Sequence, residues 1–261
     1  MSLVVLALLY LMAIFAPILA PYDYSTQNTR RTLEGSSSEF LLGTDRLGRD
    51  VLSRLIYGSR QSLSMGLIAV AIAVTVGVTL GSFAGFFGRW VDNLCMRFLD
   101  IYQSLPMFLL AITLAAILGP SLRNAILALG ISSMPIYARI MRAAVLTVRE
   151  KEYVEAAKAI GAKNTRIIIR HILPNSMAPI IVEGTMGMGV TILAGAALSF
   201  IGLGVQPPSP EWGALISDAR GIMRDHQTLA LYPGICIMIT VLAFNLAGDG
   251  LRDALDPRLK N

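Results

Sequence analysis

Gln61–Gly88 reads QSLSMGLIAVAIAVTVGVTLGSFAGFFG, a run without a single Asp, Glu, Lys or Arg. About 20 apolar residues cross the ~30 Å hydrocarbon core, so this run is long enough to span a membrane. Outward from it, further charge-free stretches are Met1–Tyr22, Ile101–Leu122, Asn124–Ala138, Gly184–Pro210 and His226–Gly248. Asn124–Ala138 is the short one. Its extension to Val148 is broken only by Arg139 and Arg142, whose long side chains reach the interface from a helix end. The pattern predicts an all-α membrane protein of about six transmembrane helices. Residues 1–22 form the first, 23–60 an extracytoplasmic segment, and 61–261 a five-helix core with a short cytoplasmic C-terminal tail.

Composition agrees. The 261 residues are 54% hydrophobic and 15% charged, with mean hydropathy +0.62, whereas soluble domains run to roughly 45–50% apolar and about 25% charged. The net charge of +5 lies between the apolar runs rather than in a basic stripe with interleaved aromatics, which excludes a nucleic-acid binder. Cys95 and Cys236 supply neither a disulfide framework nor a zinc spacing, and His171 and His226 make no metal motif. No metal site is expected. Met1–Tyr22 lacks a basic n-region and is long for a signal-peptide core; with Pro17 and Pro21 suiting a membrane exit, it reads as a retained span.

Orientation follows from basic residues in short loops. With the N-terminus inside, segments 89–97, 139–173 and 249–260 carry thirteen Lys and Arg, against nine in 23–60, 119–123 and 211–225. Both termini are therefore expected in the cytoplasm. Within 23–60, Gly43-Thr44-Asp45-Arg46-Leu47-Gly48-Arg49-Asp50 mixes both charge signs with glycines. It reads as a turn leading into an interfacial helix held by Asp/Arg pairs, with contact to an external partner as the alternative.

The segment between the fourth and fifth spans, 149–174, carries a different pattern. Tyr153, Ala156, Ala157 and Ile160 fall at i, i+3, i+4 and i+7, one apolar stripe on a helix. Glu155 and Lys158 flank it as an i, i+3 pair. Gly161 is placed to end the helix in the left-handed conformation. Asn164 or Thr165 can cap a second segment over 166–173, where Pro174 disfavours helical geometry at its predecessor. A helix of about eight residues is marginal alone in water, so the first must dock. Two alanines permit close approach of another protein with Tyr153 and Ile160 as anchors, a helix-in-groove arrangement; packing on its own bundle or the membrane is the alternative.

Glu155-Ala156-Ala157, three residues, Gly161, nine residues and then His171-Ile172-Leu173-Pro174 resemble the EAA loop of ABC importer permeases, written E-A-A-x3-G-x9-I-x-L-P. His171 departs from that pattern's Ile, and the His-Ile-Leu-Pro-Asn version resembles the peptide and nickel branch. Leu42–Arg54, Leu198–Pro208 with Pro210–Gly213, and Leu242–Asp253 with Leu255-Asp256-Pro257 also resemble the C-type inner-membrane subunit of dipeptide, oligopeptide or nickel importers. The resemblance thus covers almost the whole chain. It implies a second homologous permease subunit, two cytoplasmic ATPase subunits carrying ATP and Mg, an extracytoplasmic solute-binding protein, and a bacterial inner-membrane location. It also implies that Glu155, Ala156, Ala157 and Gly161 couple to the ATPase, none of them catalytic.

Energy must come from such partners, because the Lys residues, Lys151, Lys158, Lys163 and Lys260, follow Glu, Ala, Ala and Leu rather than the Gly that a P-loop requires. Glu183 is the one acidic residue well inside a presumed span, so it is expected to face the bundle or a translocation path, with a place near the inner interface as the alternative. Met186 and Met188, two apart, read as packing or lipid surface rather than a soft-metal site. Gly184, Gly187, Gly189 and Gly195 with Ala194, Ala196 and Ala197 suit close helix approach, expected at the interface with the second permease. Nickel or another small solute is the alternative cargo. A stand-alone channel or secondary transporter is the different-class alternative, disfavoured by one buried acidic candidate and no repeat.

Overall fold

A computed structural model describes residues 1–255; Asp256-Pro257 and the rest of the expected tail lie outside the described residues. The chain runs α1 (Ser2–Ile14), α2 (Ala16–Leu19), α3 (Val51–Phe87), α4 (Arg89–Tyr102), α5 (Met107–Leu118), α6 (Leu122–Val148), α7 (Glu152–Ala159), α8 (Asn164–Ile167), α9 (Leu173–Ser176), α10 (Ala178–Phe200), α11 (Trp212–Ala219) and α12 (Thr228–Leu255). No β-strand occurs among the described residues. Four helices, α3, α6, α10 and α12, are long and apolar enough to cross a membrane. The pair α4 and α5 meets the same test only jointly and is bent by 78°, while α1 is a shorter apolar helix.

Where about six spans were expected, the helices of two of them are interrupted. Pro17 sits in the first turn of α2, where the chain has already left helical geometry at Phe15. The run 101–122 is broken between the end of α4 at Tyr102 and the start of α5 at Met107, because Pro106 lies at the bend, and Gly119 closes the far end of α5 at φ +88.

Within segment 23–60 the helix begins at residue 51. Asp50 caps α3, its carboxylate accepting the Ser53 N–H at 2.7 Å, so 51–60 form the first turns of the same continuous helix as the apolar run rather than a separate helix. With 37 residues α3 is about 55 Å long, well beyond the hydrocarbon thickness. Its first turns stand clear of the apolar run. The expected Asp/Arg pairs are present, with Asp45 bonded to Arg49 and Arg54, each at 2.7 Å.

The principal packing is α3 against α6. Gly77, Gly81 and Gly85 recur every four residues along α3, so they share one face. A Cβ on Gly77 would stand 2.6 Å from Tyr137 Cβ, one on Gly81 2.9 Å from Met141 Cβ, and one on Gly85 2.8 Å from Val145 Cβ. The helix backbones meet there with no room for a methyl group. Arg139 and Arg142 do not snorkel from the end of α6. They reach across to α4, Arg139 to Asp100 at 2.6 Å and Arg142 to both carboxylate oxygens of Asp92.

The small residues of α10 are consumed inside the chain. Gly189 abuts Val241 of α12, Gly195 faces Met65 and Leu129, and Gly187 faces the Tyr137 hydroxyl. Their close approaches within the chain are to its own helices. Met186 fills the space over Gly248 and Met188 packs partly buried between clusters, as packing surface.

Gly81→Leu should destabilise the fold by about 1–3 kcal/mol or more, because α6 backbone atoms must move. Gly35→Leu, at a position with nothing within 4 Å, should be near neutral. Thermal unfolding midpoints of the two purified variants check this; equal midpoints would show that the glycine row does not set the helix separation.

Candidate functional site

The short helix α7 follows α6 after three residues, Arg149 holding the corner by donating from Nη1 to the Gly85 carbonyl at 2.7 Å. Glu152 and Glu155 occupy its first turn and Lys158 its last, the order that complements the helix dipole. Gly161 adopts φ +76. Its N–H bonds the Lys158 carbonyl at 2.9 Å and the Ala162 N–H bonds the Ala157 carbonyl at 3.1 Å, the pair of bonds that closes a helix on a left-handed residue. The expected left-handed helix end at Gly161 is present.

The stripe divides differently from its spacing. Ala157 is buried together with Val154, and both join Met141, Val145 and Val148 of α6, Ile167, Ile172 and Ile180 in one apolar cluster. Tyr153, Glu155, Ala156 and Ile160 face outward, with Ile160 85% exposed. A four-member stripe at i, i+3, i+4 and i+7 was expected on a single docking face; here Ala157 turns inward because Val154, one position past Tyr153, is the better partner for the end of α6. Val154 is the residue that the sequence reading missed, and the alternation of Val148, Val154, Ala157 and Ile167 across the loop is visible only once the chain is folded back.

Two further local expectations are corrected. Glu155 and Lys158 are not an ion pair among the described residues; the Lys158 ammonium lies 6.0 Å from the centroid of the Phe86 ring on α3. Neither Asn164 nor Thr165 caps the second segment, whose N-cap is Lys163, without a side-chain bond. Pro174 also fails to stop it. The chain widens into a π-helical turn over Ile168–Ile172 and continues helically through α9, since a proline in the first turn of a new helix removes only an N–H that would be unpaired there.

Glu183 lies in the second turn of α10, half-buried, at the end of the bundle nearest the loop. Its carboxylate has no hydrogen bond or ion pair among the described residues. One turn on, the Tyr137 hydroxyl lies against Gly187. No group of three or more His, Cys, Asp or Glu residues is arranged to hold a metal among the described residues.

A helix fastened on one side and bare on the other, at the end of a polytopic bundle, suits a mechanical contact rather than chemistry. Residues 77–261 match the family described as "Binding-protein-dependent transport system inner membrane component". The chain belongs to that family of ABC importer permeases. Residues 1–35 match "N-terminal TM domain of oligopeptide transport permease C".

The permease is 50% identical over its whole length to a dipeptide transport system permease protein DppC of Alkalihalophilus pseudofirmus, covering 86% of that protein. It is 48% identical to a di/tripeptide transport system permease protein DppC of Pseudomonas aeruginosa, covering all of this chain and 88% of that one. A glutathione transport system permease protein GsiD of Pectobacterium atrosepticum is 44% identical, with 97% of this chain and 85% of that one covered. Among solved structures, the inward-facing MetNI methionine ABC transporter matches with TM-score 0.64 at 19% identity, over 78% of this chain and 96% of that one, a likeness of fold. The permease is a multi-pass inner-membrane transport subunit, and hydrolysis of ATP belongs to separate partners.

Gly161→Ala meets no atom within 4 Å, so its cost is conformational alone, roughly 1–2 kcal/mol. Amide hydrogen exchange over 152–162 should quicken by about tenfold while global unfolding is unmoved. Unchanged exchange would show that this turn does not hold α7.

Proposed function

We propose that this permease is one of two homologous membrane subunits lining the path of a di- and oligopeptide importer, driven through 149–174 by two cytoplasmic ATPases. The observation that carries it is the two-sided α7. Val154 and Ala157 fasten it to the end of α6, and Tyr153, Glu155, Ala156 and Ile160 stand free on the other side. An exposed apolar and acidic ridge of this kind fits a groove on a partner, and the rigid seating lets the partner's closure reach α6 without slack.

Two pore conformations, inward-open and outward-open, are then biased by the ATP-driven approach of the partners, which hold ATP and Mg themselves. Both termini are cytoplasmic in this arrangement, and the opposite face receives cargo from a solute-binding protein. Glu183, unpaired and half-buried near the inner end, is assigned to the translocation path. Peptide cargo is favoured over nickel or another small solute by the relatives, whose names are those of dipeptide, di/tripeptide and glutathione permeases.

Ile160→Asp places an unpaired charge in the docking ridge and should release the ATPases, cutting peptide uptake into proteoliposomes by at least about tenfold. Glu183→Gln should slow uptake with the ATPases still bound. Uptake, ATPase co-purification and the elution profile of the permease are measured together. Full uptake by the Ile160 variant overturns the coupling assignment, as does a loss traced to misfolding with a correctly folded Tyr153→Ala variant fully active.

A further inference from the structure

At the end of α3 remote from α7 lies a cavity of about 370 Å³ that the coupling mechanism leaves unused. Arg54 on α3 and Arg49 in the turn before it line one wall, with side chains only 3% and 6% exposed. A single carboxylate oxygen, Asp45 Oδ2, accepts from both, Arg49 Nε and Arg54 Nη1 each standing 2.7 Å away. The other oxygen of Asp45 accepts the backbone N–H groups of Leu47 and Arg49. Asp45 therefore has little capacity left.

The second acceptor is poor. Asp218 of α11 approaches Arg49 Nη2 at 3.4 Å and Arg54 Nη2 at 3.3 Å, and its side chain is 45% exposed. Charge-assisted N–H···O bonds close to about 2.7–2.9 Å when well made. Arg54 Nε, fully buried, has no acceptor among the described residues. With Arg46 also on the rim, three guanidinium groups face two carboxylates, and the cavity carries a surplus positive charge. A buried guanidinium with unfilled donors is costly to leave so, and an added anion would relieve it. Apart from Ser217, the rest of the wall is apolar, with Val51, Leu55, Leu215, Ile222, Leu229 and Pro233 offering a surface that suits an apolar chain.

We propose that this cavity binds a carboxylate borne on a short apolar chain, taken by Arg49 and Arg54 in place of Asp218. Asp218 is the partner suited to yield. Burial lifts its carboxyl above the ordinary carboxylate value, Arg49 opposes the rise, Asp45 adds to it and Arg46 opposes it. The C-terminus of a peptide ending in an apolar residue has the required chemistry, an identification that rests on the peptide-importer reading. The site itself rests on the arginines and the cavity.

The test uses the permease purified with the subunits it assembles with, in nanodiscs and without a solute-binding protein. Isothermal titration with alanyl-leucine is compared with alanyl-leucinamide, which keeps the apolar chain and lacks the carboxylate. Alanyl-leucine should bind at one site, the amide at least about tenfold more weakly. Asp218→Asn should tighten alanyl-leucine binding, and Leu215→Trp, which fills the cavity and leaves every charge in place, should abolish it. Equal binding of the two probes, no binding of alanyl-leucine at about 10 mM, unchanged or weaker binding by the Asp218 variant, or unchanged binding by the Leu215 variant overturns the site. Peptide uptake is measured in parallel with the binding protein restored. Uptake without titratable binding overturns the site alone, whereas carboxylate binding without uptake overturns the peptide-import reading and leaves the site standing.

Discussion

The separation of α3 and α6 is fixed by the row Gly77, Gly81 and Gly85, where side-chain-free backbone lies against Tyr137, Met141 and Val145. In a bilayer the lipid is as apolar as a leucine side chain, so burial alone does not drive helices together; close van der Waals contact does. Helices α5 and α10 pack directly on this pair, and α12 packs on α10. Tyr137, carried by α6 at the first of these glycines, also reaches Gly187 of α10. Gly85, the last of them, offers its carbonyl to Arg149 and so fixes the exit of α6 toward α7.

The same pair is the one through which the proposed coupling would act. The final turns of α6 present Val145 and Val148 to Val154 and Ala157, so a push on α7 falls on a packed apolar cluster that also contains Ile167, Ile172 and Ile180. Packed side chains are nearly incompressible, which makes such a seat a lever rather than a cushion. At the far end of α3, Glu211 is wholly buried, accepting from Ser62 Oγ at 2.8 Å and from the Ala214 N–H at 3.0 Å, while Trp212 donates its indole N–H to the Leu55 carbonyl at 3.1 Å. These bonds pin α11, and with it Asp218, beside the arginine-lined cavity. Both ends of the bundle thus hang on one long helix.

Much of the coupling loop was legible because its determinants are local. Gly161 stands where only a residue without Cβ adopts φ +76 freely, and the loop spacing from Glu155 to Pro174 needs nothing beyond the chain itself. The inward turn of Ala157 was not legible. Periodicity gives the faces of a helix but not which face meets the bundle, and that choice fell to Val154 against α6. Arg139 and Arg142 look like snorkelling side chains until Asp100 and Asp92, 39 and 50 residues earlier, are brought opposite them.

The sequence by itself determined that the chain is helical and membrane-spanning, where its apolar runs lie, where α7 ends, and which family its motifs resemble. These follow from hydropathy, from backbone freedom at single residues and from spacing, terms that reach only a few positions along the chain. The tertiary structure alone decided the bend between α4 and α5, the inward use of the α10 glycines, the partners of the α6 arginines, and the meeting of Arg49, Arg54 and Asp218. Each of those joins residues far apart in sequence, and whether two such groups touch depends on the packing of every helix between them.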